Sequence, residues 1–141
     1  MINKIIDGIS IAINSCFGDE YEIYTESVEQ GLHEPCFSIV CLNPTIEQFL
    51  GVRYFRQNQF CIHYFPASSN KRAECHSVME KLANALEVIE VEGETTRGTK
   101  MSGELVDDML HFFVSYDMFV YKHKEPSASM ETAIYGADVK G

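Results

Sequence analysis

The sequence predicts an α+β fold in a single domain: a mixed, mainly antiparallel β-sheet packed by an N-terminal helix and a central helix, with a long C-terminal β-hairpin. Three observations lead to this prediction. Runs of aromatic and β-branched residues bounded by turn residues fill positions 30–66, which indicates consecutive strands. Apolar residues recur at steps of three and four over 2–16 and 71–86, which indicates two amphipathic helices. Two alternating runs over 99–121 flank an Asp-Asp pair, as the arms of a hairpin do.

The N-terminal helix carries one apolar stripe, formed by Ile2, Ile5, Ile6, Ile9, Ile13 and Cys16. Because isoleucine is a mediocre helix former, this helix depends on packing for its stability. Gly18 follows it, and glycine is common just past a helix C-terminus. The alternation of Tyr21–Glu26 then predicts a first, half-buried strand.

The central strands are predicted at Cys36–Leu42, Val52–Arg56 and Gln59–Phe65. Only Gln57 and Asn58 separate the last two runs, so these two are predicted to fold back on each other as a tight hairpin. Between the first two runs, Pro44 suits the start of a helical turn, because proline is favoured at the first helical position.

The second half begins with the central helix, predicted over Lys71–Leu86. Alternation makes Glu87–Glu92 a short strand, and Gly93–Gly98 is either a loop or a bulged strand. The C-terminal hairpin pairs Thr99–Val106 with Met109–Tyr121. The thirteen residues of its second arm are long for one strand, so part of this arm is expected to extend past the core.

The folded domain is predicted to cover residues 1–121. From Lys122 the composition changes, and Pro126–Ser129 has the character of a linker. The rest of 122–141 has only Ala133–Tyr135 to bury, so this segment is either a frayed tail or an arm that docks on a neighbouring subunit.

The charge balance restricts the kinds of partner. The 141 residues include 21 acidic and 11 basic ones, for a formal charge of −10. Such a surface repels a phosphate backbone, which argues against stable nucleic-acid binding although DNA can slide past it. No apolar run approaches the roughly 18–20 residues that span a bilayer, and the N-terminus lacks a secretory pattern. The protein is therefore expected in the cytosol of the cell that makes it, without a membrane partner.

The cysteines number five and include no C-x-x-C pair: Cys16, Cys36, Cys41, Cys61 and Cys75. They are predicted to be reduced, buried small hydrophobes. Cys61 and His63 share one strand face, where they can form a nucleophile–base pair or, with His111 and Cys41, ligate a metal. A packed cysteine beside a hydrogen-bonded histidine is the commoner arrangement on apolar strands. No catalytic residue, cofactor or metal site is therefore predicted.

Four basic residues stand out in so acidic a chain: Arg53, Arg56, Arg97 and Lys100. They are natural partners for carboxylates of another subunit. Surface pairs within the chain, each contributing little stability, explain them equally well.

Several segments form a recognisable series in their order and spacing: Gln30-Gly31, Glu34–Phe37, Val52–Arg56, Ile62–Pro66, Arg97-Gly98, and Met109–Phe112 with Tyr116. Together they resemble the small tail terminator proteins of phages and prophages of Gram-positive bacteria, which also occur in defective phages and phage-tail-like bacteriocins. The resemblance runs from the N-terminal helix to Tyr121.

The resemblance implies a small α/β protein without catalytic activity. It implies a homo-hexameric ring that caps the finished tail tube, stops its polymerisation and presents a surface for the neck or head. The implied partners are the tail tube protein, the sheath protein in contractile particles, and a neck or head-completion protein. The implied location is the head-proximal tail end of a virion or phage-tail-like particle, assembled in the bacterial cytoplasm. DNA would pass through the ring without adhering.

A closed ring needs two different patches on each protomer. The expected subunit-contacting residues are Arg53, Arg56, Arg97 and Lys100 in the domain, with Ile134 and Tyr135 in the C-terminal arm.

The sequence leaves three other functions open. One is a head–tail joining or neck protein of the same particle. The second is a cytosolic enzyme or small-ligand domain that uses Cys61, His63 and His111, and the third is a regulatory binding module.

Overall fold

The computed structural model describes residues 1–25 and 32–122 and confirms the predicted α+β fold, with a mostly antiparallel sheet. The helices are α1 (Ile2–Phe17) and α2 (Lys71–Ala85). The strands are β1 (Glu22–Tyr24), β2 (Cys36–Leu50), β3 (Arg53–Phe65), β4 (Val88–Val91), β5 (Glu94–Arg97), β6 (Thr99–Val106), β7 (Met109–Ser115) and β8 (Met118–Tyr121). The main sheet has the order β1-β2-β3-β7-β6, β8 also pairs with β3, and β4 and β5 form a separate two-stranded sheet. Neither described helix has the length and apolar run that crossing a bilayer requires.

The chain forms two compact units. Among the described residues, the larger unit comprises 1–25, 32–45 and 57–117, and the smaller one comprises 46–56 and 118–122. We call the smaller one the hairpin unit, because it contains the turn between β2 and β3. Apart from Lys122, the predicted arm over 122–141 lies outside the described residues.

The core of the larger unit lies on one face of the sheet. Alternate residues of β3 and β7 are fully or almost fully buried there: Phe60, Ile62, Tyr64, Leu110, Phe112 and Val114. Helix α2 covers this face, since Met79 of α2 occupies the space that a side chain at Gly103 would fill. Helix α1 packs against β4 and α2, with Ile5, Ile9 and Ile13 of the predicted stripe completely buried.

The tight hairpin predicted at Gln57-Asn58 is wrong. Both residues lie inside the continuous strand β3, and Asn58 is completely buried. Its side-chain Nδ2 donates to the carbonyl of Tyr116 at 3.0 Å, and its backbone N–H donates to Asp117 Oδ1 at 3.0 Å. The side chain of Asn58, a residue that suits a turn, thus satisfies the backbone just after β7.

The helical turn predicted at Pro44 is also wrong, because β2 continues as a strand to Leu50. The chain reverses one step later, at Gly51, whose φ of +59° is a left-handed conformation that glycine adopts without strain. Pairing with β3 outweighs the weak local preference of this segment, as tertiary context commonly does.

The predicted C-terminal hairpin is present, with β6 and β7 joined at Asp107-Asp108. Both aspartates have positive φ, 53° and 60°, as the two central residues of a type I′ hairpin turn require. Its second arm is not one strand over 109–121: it breaks after Ser115, and β8 then pairs with residues 53–56 of β3. The segment Gly93–Gly98, predicted as either a loop or a bulged strand, contains strand β5.

The prediction for the cysteines holds only in part. Cys36, Cys61 and Cys75 are buried and Cys41 is partly buried, but Cys16 is exposed. Cys16 occupies the last turn of α1, where the apolar stripe has already left the core. Cys16, Cys36, Cys61 and Cys75 are free thiols.

One partly buried contact joins the end of β3 to the start of α2. Tyr64 donates its hydroxyl proton to the Glu74 carboxylate, which also accepts the backbone N–H groups of Ala67 at 3.2 Å and Ser68 at 2.9 Å. Partial burial raises the pKa of Glu74, but hydrogen bonds from Ser68, Tyr64 and Ala67 outweigh burial and hold this pKa below its usual value of 4.5. The ionised carboxylate therefore stabilises the folded state.

We expect Glu74→Gln to lower the free energy of unfolding by about 1 kcal/mol at neutral pH, since solvent screens a partly exposed carboxylate. A lowered folded-state pKa contributes stability above the unfolded value and loses it as pH falls through the folded value. The difference from wild type should thus be constant at neutral pH and shrink below about pH 4.5. Urea titrations from pH 7 to 3 measure it. The exposed Glu80→Gln change on the same helix is the control, and a difference that does not shrink in acid contradicts the assignment.

Candidate functional site

Three residues with metal-binding side chains lie together on the sheet face opposite the core. Cys61 and His63 occupy alternate positions of β3, and the β3–β7 register places His63 directly opposite His111. The Cys61 Sγ and His63 Nε2 atoms are 3.6 Å apart. The two imidazole centroids are 4.5 Å apart with the rings nearly perpendicular. We call these three residues the Cys-His-His cluster; one ligand atom from each lies within 4.8 Å of the others. Cys41, the further ligand considered from the sequence, is not part of it.

The cluster is shielded from solvent. Cys61 is buried and both histidines are half-buried. Burial, with a smaller contribution from the charge of Glu104, raises the pKa of the Cys61 thiol to about 11. Burial and then the neighbouring His111 lower the pKa of His63. At neutral pH the free cluster therefore holds a thiol and a neutral imidazole, which is the opposite of an activated thiolate nucleophile.

Cys61 and His63 lie at hydrogen-bonding distance, as expected of a packed cysteine beside a histidine, whereas His111 has one nitrogen without a partner among the described residues. The Nε2 atom of His111 is buried and has no hydrogen-bond partner among the described residues. Buried polar atoms are nearly always paired, and an exception calls for an explanation such as an ion or an ordered water.

The hairpin unit exposes an unusual number of large apolar side chains. We call them the hairpin apolar set: Ile46, Phe49, Leu50, Val52, Phe119 and Tyr121. Leu50, at the turn between β2 and β3, has 71% of its surface exposed. Exposed apolar surface concentrated in one small region is typical of an interaction site.

Aromatic rings hold Arg53 within the hairpin unit. Its guanidinium carbon lies 4.4 Å from the ring centroid of Phe119 and 5.3 Å from that of Phe49. Phe119 also contacts Phe55, with centroids 4.9 Å apart. These cation–π contacts orient Arg53 without neutralising it. The Nε–H groups of Arg53 and Arg56 are buried and have no hydrogen-bond acceptor among the described residues.

The other predicted contact residues are placed differently. Arg97 pairs with Glu87 at 3.1 Å, and Lys100 pairs with Asp117 at 3.4 Å. Each of the two basic side chains therefore has a partner within the chain. Both stay mostly exposed and accessible. Ile134 and Tyr135 lie outside the described residues, and their proposed contact stays a prediction.

Sequence reasoning missed the hairpin apolar set. The segment Ile46–Val52 contains four large apolar residues around Gly51, but the sequence pattern indicated only a helical turn from Pro44 and a strand from Val52. The sequence carried one signal of this surface, because large apolar residues flank Gly51 on both sides. At the end of a hairpin, such residues cannot be buried in the core.

Comparison with known families gives a match over most of the chain. A family model described as phage tail terminator protein matches residues 4–128, which includes all but the first three described residues. No curated protein matches the chain. The match agrees with the resemblance found in the sequence and with the α+β fold. The chain therefore belongs to the phage tail terminator family, and it is a structural, virion-associated protein that acts together with other components of a phage tail.

Proposed function

We propose that the protein forms a homo-hexameric ring on the head-proximal end of the tail tube, stops tube polymerisation and presents a surface for neck, head or collar attachment. The observation that carries this proposal is the family match over residues 4–128. The hairpin apolar set supports it, because six exposed large apolar residues in one small unit are typical of a surface that contacts another protein.

The ring requires one patch of each protomer to meet a different patch of the next. We assign the hairpin unit to one side of that contact, with a second copy of this chain as its occupant. Leu50 and Phe49 supply apolar area, and Arg53 supplies a fixed positive charge between its rings. In a chain with a formal charge of −10, a neighbouring protomer offers many carboxylates to such a guanidinium.

The remaining assignments belong to the same proposal. Arg56, Arg97, Lys100, Ile134 and Tyr135 contact neighbouring subunits, and the segment 122–141 acts as a docking arm. One end of the ring binds the tail tube protein, and the other end meets the neck or head-completion protein. In a contractile particle the sheath protein also contacts it. The protein binds no cofactor for this role and does not hold DNA, which passes through the acidic ring.

Electron microscopy of particles assembled with and without this protein tests the proposal. We expect tails of uncontrolled length without it, and tails of one length capped by a hexameric ring with it. Tails of normal length that fail to join heads would reassign the protein as a head–tail joining protein. Particles that form normally without it would contradict a tail role at this step.

A further inference from the structure

The Cys-His-His cluster has the composition and spacing of a zinc site. We propose that Cys61, His63 and His111 bind one Zn²⁺ ion, with the Glu104 carboxylate as the fourth ligand. A thiol with two imidazoles is a ligand set that suits zinc better than the oxygen-seeking Mg²⁺ or Ca²⁺. This inference does not depend on the ring proposal.

The distances, which also allow a hydrogen bond between Cys61 and His63, match the ligand spacing of a zinc site. In a tetrahedral site with Zn–S of about 2.3 Å and Zn–N of about 2.0–2.1 Å, sulfur and nitrogen stand about 3.6 Å apart. Cys61 Sγ and His63 Nε2 are already 3.6 Å apart. The ligand atom of His111 lies within 4.8 Å of both, so small side-chain rotations complete the set of three.

The unpaired nitrogen of His111 is the second, independent observation. Its Nε2 is buried without a hydrogen-bond partner among the described residues. Leaving a buried polar atom unpaired costs free energy, whereas coordination or a metal-bound water satisfies it. The perpendicular rings of His63 and His111 can direct one nitrogen each toward a common point between them.

Glu104 is the candidate for the fourth position. It lies directly opposite His111 in the β6–β7 ladder, so the two side chains share one face of the sheet. Its charge already acts on the Cys61 thiol. Glu104 is exposed, so its carboxylate is free to rotate toward the cluster.

Such a site would fasten three adjacent strands, β3, β7 and β6, on the face that α2 does not cover. A metal that binds only the folded state stabilises it by mass action. The ion would have a structural role, because four protein ligands leave no open position for substrate.

The test uses the full-length chain, reduced and stripped of metal by a chelator. Zn²⁺ is titrated in competition with a chromophoric chelator, and Co²⁺ is titrated as a spectroscopic probe. We expect one equivalent of each to bind, with thiolate-to-cobalt charge-transfer bands and the intense visible bands of a tetrahedral ion. Zn²⁺ should also raise the melting temperature.

Single variants locate the site. His63→Gln and His111→Gln should each weaken Zn²⁺ binding at least tenfold and remove the increase in melting temperature, with circular dichroism showing that both stay folded. His76→Gln and Cys16→Ser, which change exposed residues away from the sheet face, should bind as wild type does. Absence of binding by the wild-type chain, or unchanged affinity in both ligand variants, overturns the proposal. Unchanged affinity in Glu104→Gln overturns only the fourth ligand and assigns that position to water.

Discussion

Replacing Leu50 by glutamate is expected to abolish tail termination while leaving the protomer folded. Leu50 has the largest exposed fraction of the large apolar residues, 71%, and lies at the turn of the hairpin unit. It makes no contribution to the buried core, so the free energy of unfolding should change by less than about 0.5 kcal/mol. Burying a leucine between subunits contributes about 1.5–3 kcal/mol, and an unpaired carboxylate in its place is penalised further.

The effect should be large because a closed ring repeats the same contact at every interface. The measurement is the tail-length distribution after complementation with the variant, together with its thermal unfolding as a free protomer. We expect long, uncapped tails and an unchanged melting temperature.

Ile11→Glu provides a matched control for this experiment. Ile11 is 67% exposed and lies on α1 in the larger unit, so the substitution has the same chemistry at a similar exposure. It should leave tail length unchanged. If both variants terminate tails normally, the hairpin unit is not the contact proposed here; if both fail equally, the loss reflects surface charge rather than this surface.

Local periodicity was enough to predict the helices and the C-terminal hairpin. The stripe of α1, the alternation of β7 and the Asp107-Asp108 turn are all short-range patterns that need no knowledge of neighbours. The position of the first hairpin was not available in this way. Gln57-Asn58 has the local composition of a turn, and only its pairing with Tyr116 and Asp117, which lie 58 or more positions along the chain, makes it the interior of a strand.

The Cys-His-His cluster and the hairpin apolar set also differ in how much of each follows from short-range sequence patterns. Alternation along one strand places Cys61 and His63 on a common face, and this much follows from the sequence. Bringing His111 beside them needs the β3–β7 register, because a shift of one residue would send it to the opposite face. The hairpin apolar set depends on exposure, which a run of apolar residues does not reveal without the fold.

A single methyl group at Gly98 is expected to destabilise the protein strongly. A Cβ there would lie 2.6 Å from the carbonyl oxygen of Leu86, 2.9 Å from Val114 Cγ2 and 3.1 Å from Tyr116 Cε1. The first of these is backbone and the other two belong to fully buried side chains. None of them can move without disturbing the close-packed core around the end of α2.

The clash also threatens a buried hydrogen bond. Tyr116 donates its hydroxyl proton to the same Leu86 carbonyl at 2.6 Å. The backbone N–H of Gly98 donates to the backbone carbonyl of Glu87, the residue after Leu86, at 2.7 Å. Moving Leu86 away from a new methyl group strains both interactions. Overpacking and a weakened buried hydrogen bond together should lower the free energy of unfolding by about 3 kcal/mol, which corresponds to a fall in melting temperature of roughly 10 °C.

Gly103→Ala separates steric clash from the general effect of replacing a glycine in this region. A Cβ at Gly103 would lie 2.8 Å from the sulfur of Met79, nearly as close as the 2.6 Å contact at Gly98. The neighbour at Gly103, however, is the flexible end of a methionine side chain, which can move aside. In a strand, alanine also loses less conformational entropy on folding than glycine does. We therefore expect Gly103→Ala to change the unfolding free energy by less than about 1 kcal/mol. Equal losses in the two variants, measured by urea titration, would show that the rigidity of the Leu86 carbonyl does not decide the cost.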